Sequence, residues 1–522
     1  MTAELLEEGT SGSRTSRTWA VALTGITGHL VEVEADLSQQ TPEFHLIGLG
    51  DRALSEAVRR VHNACKNSGV ELPRRKLTVN LSPASLPKHG SGFDLAIALA
   101  ALGTEGRLDI ASLARTVHIG ELGLDGRLRP VAGVLPALHA AVRAGIARAI
   151  VPRANEAEAR LVPGLDVHAV ATLAHAAVLH GAELDPPAAP ERLPRAESST
   201  TTEREPDLDE VIGQDEAVSA LTVAAAGGHH VLLSGPPGAG KTMLARRLPG
   251  ILPDLDDDLA LDVACVRSLA GEAVVDLDRR PPFVAPHHSA SLAALVGGGS
   301  RQVRPGAIVR AHGGLLFVDE ASEAPRAVLD ALRQPLESGR IEIHRSEFTA
   351  SFPARFQLVL ATNPCPCGVY GVTGEECVCP PAAVRRYASR LSGPLRDRLD
   401  IEIQVARVSA DLATAGTRGT VSTAQARDRV REARERAARR WRGTPWRVNA
   451  HVPGAWLRRG AYRLPTPVRE PLDRALRRGA ITLRGYDRVL RLAWSVADLD
   501  GAAAPRLEHV GRALFLKKGL AA

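Results

Sequence analysis

Short apolar segments separated by turns run through the first third of the chain. Val21-Ala22-Leu23 and Leu30-Val31-Glu32-Val33 predict two strands joined by a Gly-Ile-Thr-Gly turn. Apolar and small residues at helical spacing predict a helix over 53–68, and residues 94–102 predict another. Leu77-Thr78-Val79-Asn80-Leu81 predicts a further strand. The pattern therefore indicates an α/β region built from short elements.

Three apolar runs in the middle of the chain each lead to polar residues. They are Val231-Leu232-Leu233, Leu315-Leu316-Phe317-Val318 and the run at 356–362. Short continuous apolar runs are typical of strands buried in a parallel sheet. Ligands bind beyond the carboxyl ends of such strands. The residues that follow each run are therefore the first candidates for chemistry.

The first run leads into a glycine-rich loop with the pattern G-x-x-x-x-G-K-[ST], and a helix is predicted after it. Its backbone N–H groups and the positive end of the helix suit phosphate oxygens. Lys241 is expected to reach the β- and γ-phosphates of ATP, and Thr242 to hold Mg²⁺. The residues predicted to bind ATP in this loop are Gly235, Pro236, Pro237, Gly238, Ala239, Gly240, Lys241 and Thr242.

The other two runs deliver the groups that hydrolysis would need. Asp319 is expected to hold the metal through water, and Glu320 to polarise the attacking water. Asn363 follows the third run and resembles the polar sensor of AAA+ ATPases; the alternative is a turn former before Pro364. A phosphate loop, Asp-Glu and Asn in this order indicate an AAA+ motor.

Composition limits the class of protein further. The chain has 522 residues, 44% of them hydrophobic, and a net charge of +6, which is compatible with a nucleic-acid partner without requiring one. It has no uninterrupted apolar run long enough for a membrane span. Its polar first residues lack a signal-peptide core. A cytoplasmic location is therefore expected.

Composition shifts divide the chain into five predicted segments. Pro, Ser, Thr and charged residues mark a flexible linker, and the last segment is predicted to be helical. Its stretch Thr423–Arg442 is dense in Arg and Glu, which favours a solvated, salt-bridged helix over a nucleic-acid helix. The segments are a disordered N-terminus at 1–17, an α/β domain at 18–184, the linker at 185–206, the nucleotide-binding core at 207–405 and a helical domain at 406–522.

Four of the six cysteines lie close together in sequence, as Cys365-x-Cys367 and Cys377-x-Cys379. In a reducing compartment, clustered thiols favour a metal over disulfides. Four thiolates suit tetrahedral Zn²⁺, although the C-x-C spacing is less typical than C-x-x-C. Free structural thiols and a redox pair are the alternatives.

With these motifs in view, the chain resembles the YifB/ComM family of magnesium-chelatase-like AAA+ ATPases from about Trp19 to Gly519. The resemblance implies a hexameric ATPase that uses ATP and Mg²⁺, and in its best-understood branch a DNA helicase that drives branch migration during natural transformation. The motifs that carry it are Val79-Asn80-Leu81-Ser82-Pro83-Ala84, Phe93-Asp94-Leu95, Ala285-Pro286-His287-His288-Ser289, Leu332-Arg333-Gln334-Pro335-Leu336-Glu337, Asn363-Pro364-Cys365-Pro366-Cys367-Gly368 and Ser392-Gly393-Pro394-Leu395-Arg396-Asp397-Arg398-Leu399-Asp400.

The N-terminal block resembles the Lon protease fold, and the resemblance places the serine and lysine of a catalytic dyad at Gly92 and Ala137. A dyad needs both a nucleophile and a base. Ser91 would be the nucleophile only if the register slips by one residue. We therefore expect an AAA+ P-loop module with a helical lid, preceded by a Lon-protease-like α/β domain that lacks the catalytic dyad.

The resemblance also implies arginines that act on a neighbouring subunit's ATP. Arg398 matches the position of the arginine finger best and Arg390 is the second choice, while a salt bridge with the flanking aspartates is the alternative for Arg398. A second basic sensor is expected on the lid, with Arg484, Arg488 and Arg491 as candidates.

A predicted hairpin that begins at Gly339 provides the candidate DNA contacts. In related helicases a hairpin at this place enters the ring pore, and a basic residue on it binds the phosphate backbone. Arg345 is the first candidate and Arg340 the second; ordinary surface charge is the alternative. His287-His288 precedes a Gly297-Gly298-Gly299 loop, and a structural or substrate-loop role is favoured there over a metal site.

These predictions lead to one function and three competitors. The leading hypothesis is an ATP-driven DNA motor that forms a homo-oligomeric ring and acts on single-stranded or branched DNA. The alternative is a magnesium-chelatase-like subunit that remodels a protein partner, although that subunit lacks a Lon-like block. The intact set of Lys241, Asp319, Glu320 and Asn363 argues against a regulatory scaffold that only binds ATP. The missing dyad argues against a protease.

Overall fold

A computed structural model of the chain describes residues 15–48, 52–88, 90–186, 188, 206–299, 303–344, 349–372, 374–408 and 419–518. The predicted disordered segment and linker lie largely outside these ranges. The first strand nevertheless begins at Thr15, inside the segment 1–17 that we predicted to be disordered. Its side chains alternate between the core and the surface from there on, so the predicted boundary falls inside a strand.

The N-terminal region is an α/β unit around a mixed sheet. Within the described residues this sheet has seven strands in the order β3-β4-β2-β1-β5-β8-β9, and β6 and β7 form a separate pair. Strands β1, β2 and β4 are antiparallel neighbours, and β5, β8 and β9 continue from β1 in parallel. The strands are Thr15–Thr24 (β1), Thr27–Ser38 (β2), Glu43–Ile47 (β3), Lys76–Ser82 (β4), Thr116–His118 (β5), Glu121–Leu122 (β6), Leu128–Arg129 (β7), Arg148–Pro152 (β8) and Asp166–Val170 (β9).

The helices of this region pack on the sheet. Every residue of the helix Asp94–Gly103 is buried, so it is the centre of the N-terminal core. The predicted helices over 53–68 and 94–102 and the predicted strand over 77–81 are confirmed within one or two residues. The helices are Arg52–Asn67, Asp94–Gly103, Ile110–Ala114, Val134–Arg143, Glu156–Ala159 and Leu173–Val178, with a 3₁₀ turn at Arg153–Asn155.

The central region contains a parallel sheet built from the three apolar runs. In the part of the chain that the structure describes, this sheet has five strands in the order β11-β14-β17-β10-β18, all parallel. Two further strand pairs, β12–β13 and β15–β16, lie outside it. The strands are Val231–Ser234 (β10), Phe283–Val284 (β11), Gly297–Gly298 (β12), Arg304–Pro305 (β13), Leu315–Val318 (β14), Arg340–His344 (β15), Thr349–Pro353 (β16), Gln357–Thr362 (β17) and Ile401–Gln404 (β18).

Helices cover both faces of this sheet, as expected for parallel strands that are hydrophobic throughout. Residues on the two faces belong to two separate apolar clusters, one containing Val231 and Val359 and the other Leu232 and Leu358. The helices are Asp215–Gly227, Lys241–Ile251, Asp257–Leu269, Leu292–Val296, Ala307–Arg310, Arg326–Ala331, Arg333–Ser338, Pro381–Ala388 and Gly393–Arg396, with a 3₁₀ turn at Leu208–Glu210.

The C-terminal region is helical, as predicted, and shares a core with the sheet. Apolar residues on both sides of the predicted boundary at 405/406 form one continuous cluster, which includes Leu221, Ile403, Trp441 and Leu490. These helices are therefore fixed against the nucleotide-binding core. They are Thr423–Arg440, Gly454–Leu457, Thr466–Arg477, Leu483–Leu499 and Leu507–Lys518, with 3₁₀ turns at Asn449–His451 and Gly460–Tyr462.

The N-terminal region also packs on the central region. The amide of Gly133 donates to the carbonyl of Ser268 (3.0 Å), and apolar residues from both regions form one cluster. At a second place, the β1–β2 turn meets the β15–β16 hairpin. A Cβ on Gly25 would lie 2.2 Å from the carbonyl oxygen of Ser351, so only glycine permits this approach. The N-terminal region thus contacts the hairpin that we predicted to bind DNA.

Candidate nucleotide-binding site

The predicted phosphate loop lies between β10 and the helix Lys241–Ile251. Gly238 and Gly240 have φ angles of 76° and 91°, which suit glycine. A Cβ on Gly235 would lie 2.2 Å from the carbonyl oxygen of Val405, the residue that follows β18. Backbone amides at the start of a helix and glycines without side chains together form a cradle for phosphate oxygens. The loop therefore fits a nucleoside triphosphate.

Lys241 is folded onto this loop. Its ammonium group donates to the carbonyls of Gly235 (2.7 Å) and Pro236 (2.9 Å) and to Oδ1 of Asn363 (3.0 Å). Burial lowers the pKa of Lys241, and the carboxylates of Asp319 and Glu320 oppose that shift. The amine is thus held as a charged donor at the place where the phosphates would lie.

The carboxylate pair stands at the end of β14, next to the phosphate loop. Thr242 Oγ1 donates to Asp319 Oδ2 at 2.6 Å. A hydroxyl and a carboxylate oxygen in contact are the hard ligands that Mg²⁺ prefers, so these two residues fit the ion that would accompany ATP. Glu320 has φ 48°, a backbone conformation that is unusual for a residue with a side chain. Its strained backbone is typical of residues fixed for chemistry.

A contact that the sequence did not predict involves Glu320. Oε2 of Glu320 lies 2.9 Å from Nδ1 of His288, which follows the edge strand β11. His287 stacks beside His288, with 4.1 Å between the ring centroids. The His-His pair was visible as a motif, but its partner lies 32 positions farther along the chain, and only the sheet order brings them together.

Asn363 completes the site from the strand between β10 and β14. Because β17 lies between these two strands, the residue after it must lie between the phosphate loop and the carboxylate pair. Its bond with Lys241 places it there. The structure therefore brings together Lys241, Thr242, Asp319 and Asn363, as the order of motifs predicted.

Arg398 and Arg390 have partners of their own in the chain. Arg398 donates to the carbonyl of Pro394 (2.6 Å) and pairs with Glu337, not with the flanking aspartates. Arg390 donates to the carbonyl of Ser322 and pairs with Glu323, both at 2.9 Å. The Glu337 side chain is 61% exposed, whereas that of Arg398 is only 13% exposed. Arg398 must therefore leave a largely buried position to reach a neighbouring subunit.

The predicted lid arginines lie at the opposite edge of the sheet. Arg488 pairs with Asp400 (2.5 Å), and Asp400 also accepts from the amide of His230. His230 and Asp400 lie directly before the parallel strands β10 and β18, whereas the phosphate loop lies directly after β10. The four residues of β10 span about 13 Å, so Arg488 does not reach the ATP site of its own chain in this conformation.

A cavity of about 550 Å³ lies at this opposite edge, and Arg484, Arg488 and Arg491 line it together with Glu337. Burial alone would raise the pKa of Asp400, but the charge of Arg488 and the nearby imidazole of His229 hold it well below its usual range. The arginine cluster is therefore neutralised in part by a buried carboxylate. As Glu337 also pairs with Arg398, this first finger candidate lies beside the lid candidates, whereas Arg390 pairs with Glu323 after β14.

The predicted hairpin is confirmed as β15 and β16, paired from Arg340–Pro353 to His344–Thr349. Ile341 and Ile343 are buried, while Arg340 is exposed at the base of the hairpin. Arg345 lies outside the described residues. The roles of both arginines in DNA binding stay predictions.

The four clustered cysteines meet in space. Their sulfur atoms all lie within 4.8 Å of one another, and none of the four forms a disulfide. Cys365 is fully buried, and the other three are partly exposed. Four thiols that converge in this way could hold a metal ion.

In the N-terminal region, the absence of a protease dyad stays a prediction, which concerns the following residues. Gly92 and Ala137 offer no functional group, and the Ser91 hydroxyl donates to Glu121. Nearby Lys88 is buried, and its amine donates to the carbonyls of Pro83 (2.6 Å) and Leu86 (3.2 Å). Burial lowers the pKa of Lys88. No bond joins it to Ser91 among the described contacts.

Among the described residues, no helix has the length and hydrophobicity that crossing a membrane requires.

Comparison with known families gives three matches along the chain. The family model of magnesium chelatase, subunit ChlI, matches residues 207–412. The model described as subunit ChlI of Mg-chelatase matches residues 33–155, and that of the ChlI C-terminal region matches residues 420–517. The matches cover the same three regions that the structure shows.

Several relatives align with nearly the whole chain. The uncharacterized protein Rv2897c of Mycobacterium tuberculosis is 48% identical over 505 residues, 96% of this chain and 98% of that protein. Competence protein ComM of Haemophilus influenzae is 40% identical over 492 residues, 94% of this chain and 95% of its own length. The uncharacterized protein YifB of Escherichia coli is 37% identical over 498 residues, 94% and 95% of the two chains.

Similarity to a protease is partial. The Lon protease of Mycolicibacterium smegmatis is 31% identical over 176 residues, which are 32% of this chain and 22% of that enzyme.

Proposed function

Because the chain belongs to the YifB/ComM family of magnesium-chelatase-like AAA+ ATPases, we propose that it couples ATP hydrolysis to the remodelling of DNA. It acts as a hexameric helicase or branch-migration motor in homologous recombination or natural transformation. One observation carries the chemistry: the consecutive residues Lys241 and Thr242 donate hydrogen bonds to Asn363 and Asp319, respectively, at the carboxyl edge of the sheet.

Different residues of the chain have different roles in ATP hydrolysis. Lys241 and the loop amides bind the β- and γ-phosphates, and Thr242 and Asp319 hold Mg²⁺, which neutralises phosphate charge. Glu320 orients and polarises the attacking water. Asn363, already bonded to Lys241, positions this water and the γ-phosphate.

The opposite edge supports a ring. Arg398 and the lid arginines lie on one face of the subunit, and the phosphate loop of the same subunit lies away from that face. A head-to-tail interface between copies brings that face against the next subunit's ATP, and such interfaces close into rings. Arg398 then stabilises charge in the transition state of the neighbour, with Arg488 or Arg484 as the second sensor.

The proposal that DNA is the substrate rests on the hairpin and on charge. Arg340 is exposed at the base of the β15–β16 pair, and Arg345 follows His344 directly in the sequence. With a net charge of +6, these residues favour a phosphate backbone read without regard to sequence. The relative named competence protein ComM agrees with a role in DNA uptake or integration.

A chelatase-like subunit that remodels a protein partner is the second candidate. It is favoured by the three matching models, which all carry the chelatase subunit's name. The two functions use the same motor and differ in what the ring acts on.

ATP hydrolysis by the purified protein separates them. The rate is measured without DNA, with single-stranded DNA and with branched DNA, and Glu320→Gln serves as the control. Stimulation by DNA that disappears in the control supports the DNA motor and calls for a branch-migration assay. A hydrolysis rate that neither DNA changes rejects the DNA motor and favours a protein partner.

A pair of variants tests the hairpin itself. Arg340→Ala should reduce DNA stimulation without changing the basal rate. Arg326→Ala is the matched control, because its side chain is 79% exposed on a helix outside the hairpin. Equal stimulation of the two variants by DNA would show that Arg340 is not part of the DNA interface.

A further inference from the structure

The thiols of the cysteine cluster have the separations of a tetrahedral metal site. Sγ of Cys365 lies 3.3 Å from that of Cys367 and 3.7 Å from that of Cys377, and the Cys367–Cys377 separation is 3.5 Å. Four sulfurs at a Zn–S distance of about 2.3 Å from one ion are about 3.8 Å apart. Disulfides require about 2.05 Å. An iron–sulfur cluster places several atoms between its thiolates and needs a wider set.

The loop that carries these thiols lies outside the regular elements. Between β17 and the helix Pro381–Ala388, its described residues contain neither strand nor helix. Two of its large apolar side chains face water, Val378 at 83% exposure and Tyr370 at 55%. The amide of Tyr370 donates to Sγ of the fully buried Cys365 (3.3 Å). Hydrogen bonds to ligand atoms belong to the outer shell that orients metal ligands.

We propose that Cys365, Cys367, Cys377 and Cys379 bind one Zn²⁺, and that the ion holds this loop against the phosphate loop. The metal-site part of the proposal is independent of the proposed function, because it is argued from the thiols themselves. The effect on ATP binding rests on the proposed function, because it assumes that the phosphate loop binds nucleotide.

The cysteine loop touches the phosphate loop at Pro237 from two sides. Gly368 packs so closely that a Cβ there would lie 2.4 Å from Cδ of Pro237. Arg407 donates to the carbonyl of Pro237 (3.1 Å) and pairs with Glu375 of the cysteine loop. The loop also starts two residues after Asn363, whose amide oxygen accepts from Lys241. A change in the cysteine loop therefore reaches the phosphate loop directly.

Metal loss should lower nucleotide affinity by a population effect. Zn²⁺ binding energy orders the segment that it crosslinks. Without the ion, the loop samples arrangements in which Gly368 and Arg407 no longer hold Pro237. If about a tenth of the metal-free molecules keep the phosphate loop competent, the apparent Kd for ATP rises about tenfold.

Elemental analysis of the full chain, purified without chelator, tests the site. We expect about one zinc per chain, as one four-thiolate site predicts. Cys377→Ser/Cys379→Ser should lose the zinc, and Cys65→Ala, which alters a cysteine outside the cluster, should keep it. Zinc well below one per chain, or iron in its place, overturns the proposal. Because the wild-type count needs no variant, a folding failure of the double variant does not weaken this test.

Fluorescent-nucleotide binding tests the coupling. The Kd is measured for the zinc-loaded protein, for the same protein after a strong chelator, and for Arg407→Ala. We expect weaker binding after zinc removal and on loss of Arg407, with zinc retained in Arg407→Ala. Unchanged affinity in both rejects the coupling. Lys241→Ala should abolish nucleotide binding and retain zinc, so a failed ATP site is distinguished from a failed zinc site.

Discussion

The two large sheets of the chain use their polar side chains in opposite ways. In the central sheet, Lys241 and Asn363 follow neighbouring strands and bond to each other at an open edge. In the N-terminal sheet region, the main charged pair is internal: Arg60 donates to both oxygens of Asp94, at 2.7 and 3.0 Å, and Asp94 is fully buried. Both regions contain strong electrostatic contacts, but only one set is placed where a ligand can enter.

The difference shows that a strong polar contact is not by itself a sign of chemistry. The Arg60–Asp94 pair compensates two charges that folding removes from water. The Lys241–Asn363 bond lies at a loop whose Gly238 has open space beside it. Polar residues in the first region should therefore affect stability, and those in the second should affect rate. Each prediction below tests one side of this division.

The largest expected effect is on turnover. Arg398→Ala should bind ATP normally and hydrolyse it about 10³–10⁵-fold more slowly, because a cation no longer meets the charge of the transition state. Steady-state hydrolysis and nucleotide binding, measured on the same preparation, check this. Normal turnover would remove Arg398 from the site.

Mixing two inactive proteins tests whether Arg398 acts on the neighbour. Arg398→Ala retains Glu320, and Glu320→Gln retains Arg398, so a mixed ring contains some interfaces with both intact groups. Equal mixing should make about a quarter of the interfaces complete and restore activity to that extent. A mixture as inactive as its components would show that each site uses its own Arg398 or that rings do not exchange subunits; a subunit-exchange assay with labelled chains separates these results.

A smaller effect, on stability alone, is expected in the N-terminal region. Arg60→Ala leaves the Asp94 carboxylate buried without its partner, which should cost about 3–5 kcal/mol. Arg17→Ala breaks an exposed contact at 4.0 Å with Glu32 and should cost less than about 1 kcal/mol. Urea unfolding measures both. If Arg60→Ala instead slows hydrolysis in protein that is still folded, the division between the two sheets fails.

How much the sequence predicted follows the same division. The strands β10, β14 and β17 and the residues after them were predictable, because each motif is contiguous and its chemistry needs fixed spacing. The contact of Glu320 with His288 and the packing of Gly368 on Pro237 were not. They depend on which strands are neighbours and on how a loop returns to the sheet, and no local pattern records either.

Acid should destabilise both regions through buried neutral histidines. Burial lowers the pKa of His180 in the N-terminal region to about 4, and that of His230 beneath the central sheet likewise. The unfolded chain takes up these protons near pH 6.5, whereas the folded chain does so only near pH 4. Stability is therefore present above pH 6.5 and is lost as the pH falls toward 4, by about 3 kcal/mol for a shift of this size. Unfolding curves at pH 7 and 4.5 measure the loss.

The two histidines can be separated by substitution. His180→Asn should remove part of the acid sensitivity and leave the part that comes from other histidines with lowered pKa values, such as the neighbouring His118 and His230 in the central region. An acid response that His180→Asn leaves unaltered would show that His180 does not contribute to it.

A modest change in rate is expected from His288. Its Nδ1 lies 2.9 Å from Glu320 Oε2, in a pair that is partly exposed and so contributes at most about 1 kcal/mol. Freeing the carboxylate to orient water should raise basal hydrolysis up to about fivefold in His288→Ala. His287→Ala keeps the pair and is the control. A slower His288→Ala would mean that the histidine positions Glu320 for catalysis.

The smallest effect is expected at Ser91. Catalysis by this residue would contradict the division between a stabilising N-terminal region and a catalytic central region. A serine nucleophile needs a base within hydrogen-bond reach, yet the Ser91 hydroxyl donates to Glu121, and Lys88 donates to two backbone carbonyls. Ser91→Ala should therefore leave hydrolysis of ATP unchanged and cost about 1 kcal/mol of stability for one lost hydrogen bond. The wild type should not cleave unfolded protein substrates. Cleavage by the wild type that disappears in Ser91→Ala would mean that Lys88, whose pKa burial already lowers, can turn toward the serine, and that both regions of the chain are catalytic.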